Sequence, residues 1–93
     1  MDMNDFKKIL APMLKNYKLT YSSYPNGDFG SLKRVSIEGE NKIACIDFWS
    51  KGWLALDIYD LILDDQIMNI LLDPFEIEEQ SNAIKKFIRI LLK

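Results

Sequence analysis

Apolar residues change their spacing along this chain, and each change marks an element. Phe6, Ile9, Leu10, Met13, Leu14 and Tyr17 recur at three- and four-residue intervals, the stripe of an amphipathic helix running to about Tyr17. Asn4 or Asp5 stands where such a helix takes its cap. Pro12, inside the stripe, predicts a kink or a replaced turn because proline has no amide hydrogen. From Lys18 the period becomes two, with Leu19, Tyr21 and Ser23 on one side and Thr20, Ser22 and Tyr24 on the other. Pro25-Asn26-Gly27-Asp28 reads as a turn that Gly30 extends. Residues 31–38 read as a second strand with Val35 and Ile37 on its apolar side, and Gly39-Glu40-Asn41 turns the chain again.

The clearest hairpin follows. Residues 42–50 and 53–59 are two strands closed by Ser50-Lys51-Gly52, with Gly52 free to take positive φ. Pairing Trp49 with Trp53 sorts them into two faces. Ala44, Ile46, Phe48, Leu54, Leu56 and Ile58 make one face wholly apolar. Ile43, Cys45, Asp47, Trp49, Trp53, Ala55, Asp57 and Tyr59 make the other mixed, so the first is expected under helices and the second partly in solvent. Leu61-Ile62-Leu63 before Asp64-Asp65 is a short extension or a loop tip, and residues 66–72 suit a fifth strand. Asp73 is placed to cap a last helix, with Pro74 in its first turn and Ile77, Ala83, Ile84, Phe87, Ile88 and Leu91 as its core stripe. Ile90 and Leu92 make its end apolar nearly all round, fit for deep docking or a second chain. The expected fold is α+β: an antiparallel sheet of four to five strands, with N-terminal and C-terminal helices packed on one face, in a single domain over residues 1–93.

Composition removes much of the chemistry such a fold can carry. The chain has 93 residues, one Cys and no His, which excludes internal disulfides, zinc fingers and every Cys/His or Ser/His catalytic scheme. The opening Met-Asp-Met-Asn-Asp lacks the basic and apolar regions of a signal peptide. No uninterrupted apolar run approaches the ~18 residues of a membrane span. A cytoplasmic protein with no membrane partner is expected.

The formal charge of −2 hides a segregation. Eight acidic and no basic residues lie between Lys51 and Lys85, whereas residues 1–51 carry +2 and the last nine residues +4. Such a field attracts cationic partners and repels nucleic acid. Glu76, Glu78 and Glu79 can be assigned to the start of a helix, where its dipole favours them. Asp57, Asp60, Asp64 and Asp65 precede that helix and are the more informative charges.

Two constellations could use them. Asp47 and Asp57 share a sheet face, diagonally offset on neighbouring strands, as a metal-binding or acid–base pair requires. Arg34 on the adjacent strand is a ready salt-bridge partner, which favours a structural role. Asp60, Asp64 and Asp65 lack the ligand spacing of a calcium loop. Cys45, mid-strand, reads as a small apolar residue. No catalytic residue, metal ligand or cofactor is therefore assigned. The same face carries Trp49, Trp53 and Tyr59, with Tyr21 as a possible neighbour. Rigid aromatic anchors ringed by Asp47, Asp57 and Asp60 have the makeup of a protein-binding hot spot for a basic target.

The loop 27–31 and the hairpin 46–59 (Ile-Asp-Phe-Trp-Ser-Lys-Gly-Trp-Leu-Ala-Leu-Asp-Ile-Tyr), in a small acidic α+β chain, resemble the immunity proteins of bacterial contact-dependent growth inhibition and polymorphic toxin systems. That family shares no catalytic residues, so the resemblance transfers none. It implies a non-enzymatic antitoxin that binds one secreted toxin domain, often a basic nuclease. Asp47, Trp49, Trp53, Asp57, Tyr59, Asp60, Asp64 and Asp65 are the expected partner-binding residues, on a monomer rather than a homodimer. Reversing Asp60, Asp64 and Asp65 is expected to slow association. The rival readings are a small acidic secretion chaperone or adaptor that binds an effector segment, and a carboxylate-dependent metal enzyme built on Asp47 and Asp57.

Overall fold

Alternation in the middle of the chain becomes a five-stranded antiparallel meander. The computed structural model describes residues 1–39 and 41–93, and at Asn26 the backbone alone. Strands β1 (Lys18–Gly27), β2 (Gly30–Gly39), β3 (Lys42–Trp49), β4 (Leu54–Asp60) and β5 (Asp65–Leu72) lie in the order β1-β2-β3-β4-β5. Of the expected turn at Gly39-Glu40-Asn41, Glu40 lies outside the described residues.

The hairpin register is the one the alternation predicts. Phe48 faces Leu54, Ile46 faces Leu56 and Ala44 faces Ile58, and the Trp49 amide donates to the Trp53 carbonyl at 3.1 Å. All six of those apolar side chains are buried. The first strand runs further than its turn residues suggest, through Pro25 to Gly27. A bulge after Tyr24 absorbs the irregularity, and Asp28-Phe29 forms the turn. This register sets Tyr21 opposite Val35, on the core side, so Tyr21 does not join the mixed face. Its ring instead meets Phe6 edge-on, with centroids 6.3 Å apart.

The N-terminal stripe folds as a broken helix rather than one helix to Tyr17. A single turn α1 (Met3–Asp5) continues as a widened π turn over Phe6–Leu10 and a 3-10 turn over Ala11–Met13. Asp2, not Asn4 or Asp5, caps it: its carboxylate accepts from the Asp5 amide, and the Asp5 carboxylate accepts from the Asp2 amide, a reciprocal capping box. The widened turn keeps Phe6, Leu10 and Leu14 buried while Ile9 and Met13 face out. So short and irregular a segment has little intrinsic helical stability. Packing holds it, since fully burying a Leu or Phe side chain contributes about 1.5–3 kcal/mol.

The last helix, α2 (Ile77–Leu91), begins later than Asp73 implies. Asp73 heads a separate turn, where its Oδ1 accepts from the amides of Phe75 (2.8 Å) and Glu76 (3.1 Å). Ile77, expected in the core stripe, is therefore 74% exposed. The rest of the stripe holds: Ala83, Ile84, Phe87, Ile88 and Leu91 are buried in one cluster with Phe6, Leu10, Leu14 and the inward face of the sheet. Both helical segments thus cover one side of the sheet, and the other side is open. Among the described residues no helix is long and apolar enough to cross a membrane.

Candidate functional site

The open side of the sheet is organised in cross-strand rows. One runs Tyr24, Leu32, Trp49, the next Ser22, Arg34, Asp47, Ala55, Leu71, and the next Thr20, Ser36, Cys45, Asp57, Asn69. Asp47, Trp49, Trp53, Asp57 and Tyr59 share this face as the alternation requires. Phe29 completes its aromatic end. It stacks on Trp53 with centroids 4.0 Å apart and planes 10° from parallel, and it meets Trp49 edge-on at 5.5 Å. Backbone bonds fix this arrangement: the Ser50 amide donates to Ser31 O (2.8 Å) and the Lys51 amide to Phe29 O (3.2 Å), joining the β1–β2 and β3–β4 turns. Tyr24 lies beside the cluster with the Arg34 guanidinium 5.5 Å above its ring, a cation–π contact.

Asp47 and Asp57 are diagonal neighbours with different environments. Asp47 is 8% exposed, and both of its oxygens accept from Arg34, Oδ1 from Nε at 2.6 Å and Oδ2 from Nη2 at 3.0 Å. This bidentate fork raises the guanidinium's pKa, chiefly through the hydrogen bonds themselves. Asp57, one diagonal away, receives no hydrogen bond or ion pair among the described residues. Burial and then the Asp47 charge push its pKa above the ordinary carboxylate value, and Arg34 offsets this only in part. Cys45 is half-buried on this open face rather than in the core. Burial, followed by the charges of Asp47 and Asp57, pushes its thiol up to about 12, so the thiolate nucleophile is absent at neutral pH.

Comparison with models of known protein families, with curated proteins and with solved structures finds no match to this chain. What the face can do follows from its own chemistry.

The acidic block sits apart from the aromatic end. Asp60 closes β4, and its Oδ1 accepts from the Ile62 (2.9 Å) and Leu63 (3.0 Å) amides. Asp64 takes a left-handed conformation, φ 52, and its carboxylate accepts from the Tyr59 hydroxyl. That hydrogen bond, with some burial, raises the Tyr59 pKa. Asp65 opens β5 and is exposed. The two groups lie at opposite ends of β4, about 23 Å apart at ~3.3 Å per residue. The register puts Asp60, with Lys42 and Asp65, on the Ile58 side of the sheet rather than with Asp57 and Tyr59, so the predicted residues do not form one converging patch. Arg34–Asp47 is the sole salt bridge among the described residues. Asp57, Asp60, Asp64 and Asp65 therefore keep their charge unanswered within the fold.

As a metal centre the face is poorly equipped. The oxygens of Asp47 are committed to Arg34, and among the described residues no three Asp, Glu or Cys side chains group to hold an ion. A cavity of about 480 Å³ lies on the other side of the molecule. It is a groove between the N-terminal segment and α2, with Leu10, Met13, Ile77, Ile84 and Ile88 in its walls.

Sequence reasoning missed Phe29 and Tyr24. A lone aromatic among turn formers, Asn-Gly-Asp-Phe-Gly, was the available signal for Phe29. Tyr24 required the β1–β2 register.

Proposed function

We propose that this chain is a non-enzymatic immunity protein that binds and neutralises a basic secreted toxin domain, of nuclease type, through the open side of its sheet. One observation carries this reading: an uncovered face with a preassembled aromatic cluster at one end and Asp57 unpaired within it, continued by the acidic β4–β5 turn at the far end of β4. Stacked rings present apolar area at little conformational cost, as hot spots require. Unanswered carboxylates suit a surface rich in Lys and Arg and would repel nucleic acid. Face and turn together have the span of an ordinary interface, which buries about 800 Å² per partner.

The test is to read the genes flanking this one and co-express the chain with any secreted, basic toxin-like domain that they encode. The reading expects restored growth and a stable complex that Trp53→Ala weakens at least about tenfold. Absence of a complex with the wild-type chain would sink it. A secretion adaptor is the second reading, favoured by the apolar groove on the helical side. It would lose its partner on Ile77→Asp, a substitution that should leave toxin neutralisation intact.

A further inference from the structure

The connection between β4 and β5 is built from residues that folding alone does not call for. Residues 61–64 are Leu-Ile-Leu-Asp: Asp64 is a turn former that tolerates positive φ, whereas the three apolar residues before it are not turn formers. Leu61, Ile62 and Leu63 are 50%, 74% and 66% exposed. Single exposed apolar residues are ordinary, but three in succession at one turn form an apolar patch that the fold does not cover. The turn is also fixed in advance. Asp60 holds the Ile62 and Leu63 amides, Asp64 holds the Tyr59 hydroxyl, and the Leu61 amide donates to Asn41 O at 2.8 Å. A partner would find the backbone of the turn already ordered, which removes part of the entropic cost of binding.

We infer that Leu61-Ile62-Leu63 is a preformed apolar plug that enters an apolar pocket rimmed by Lys or Arg on the neutralised domain. The inference rests on the function proposed above. The rim chemistry follows from the collar. Asp60, Asp64 and Asp65 flank the apolar triplet in the chain and outnumber Lys18 and Lys42, which lie beside Leu61; Lys42 stands opposite Asp60 in the register but forms no ion pair with it. An acidic protein or an anionic membrane would be repelled, whereas a basic rim would answer all three carboxylates as the apolar tips desolvate.

Ile62→Asp tests this directly, because its added negative charge should strengthen attraction to a basic partner. Any loss must then come from the missing apolar insertion. Thermal melts of the full chain should be unchanged by the neutral variants Ile62→Ser and Leu63→Ser; a clear drop would show that the triplet packs within its own fold and would overturn the plug. Against the basic domain identified by the co-expression test above, Ile62→Asp should weaken binding at least about tenfold, mainly through faster dissociation, while Ile62→Val stays near wild type. Wild-type affinity for Ile62→Asp alongside weakened Trp53→Ala would reject the plug and leave the immunity reading standing. If the wild-type chain does not bind, the reading falls and the plug with it.

Discussion

A carboxylate half-sunk in a sheet is costly to ionise unless something answers its charge, and Asp57 has only a distant share of Arg34. The groups facing it are Asp47 and Cys45 on β3 and Arg34 beyond them; burial and Asp47 raise its pKa, Arg34 lowers it, and the net shift is upward. The folded state then binds the Asp57 proton more tightly than the unfolded chain does. Stability falls as pH rises from the ordinary value of 3.8 through the raised one, and stays lower above it. Asp57→Asn should consequently melt at a higher temperature than wild type at pH 7, with the gap closing as pH falls towards 3.8. A lower melting temperature at pH 7, or a gap that ignores pH, would contradict the account. Asp47, by contrast, has its burial compensated by a bidentate partner on the next strand. The fold thus keeps one carboxylate of this face paired and leaves its diagonal neighbour without a counter-ion.

Among the elements, the β3–β4 turn and the entry to α2 act as one joint. Gly52 has φ 94, and a Cβ there would stand 3.0 Å from Pro74 Cβ. Gln80 of α2 donates through Nε2 to Gly52 O (3.0 Å) and to Asp73 O (2.8 Å), clamping the two turns together. Gly52→Ala should thus cost about 1–3 kcal/mol from its backbone conformation alone, seen as a lower urea midpoint with an unchanged slope; an unaltered midpoint would mean the joint is loose. This hairpin was legible in the sequence because a strict period of two, one apolar face and a glycine-bearing turn fix the register together. Elsewhere those constraints come apart. A bulge after Tyr24 shifts the end of β1, a widened turn rewrites the Phe6–Leu10 stripe, and Asp73 serves a turn that precedes its helix. The first two depend on the chain around them, whereas Asp73 is held by a local turn of its own making that competes with its use as a helix cap. The site shows the same division: the face shared by Trp49, Trp53, Asp57 and Tyr59 follows from alternation, but Phe29 reaches it from a loop that only the folded sheet brings near.

Over the whole molecule the charge segregation along the chain becomes a segregation in space. Lys85, Lys86 and Arg89 are exposed on α2, in the helical layer, whereas Asp57, Asp60, Asp64 and Asp65 belong to the open sheet and its β4–β5 turn. A basic partner approaching such a dipole is turned towards the sheet before contact, so these charges should act on association more than on the lifetime of the complex. Replacing Asp60 and Asp64 by Lys would also strip the turn of the acceptors for Ile62, Leu63 and Tyr59, mixing electrostatics with unfolding of the loop. The cleaner variant is Asp60→Asn, Asp64→Asn and Asp65→Asn together, which removes three charges and keeps an Oδ1 acceptor at each position. Its association rate with the basic partner should fall about tenfold at low ionic strength, and the deficit should fade towards 1 M salt, where the screening length is about 3 Å. Dissociation should change little, because the aromatic cluster and the apolar turn remain in place. Equal association rates at low salt for the triple variant and wild type would show that this acidic surface does not steer the encounter.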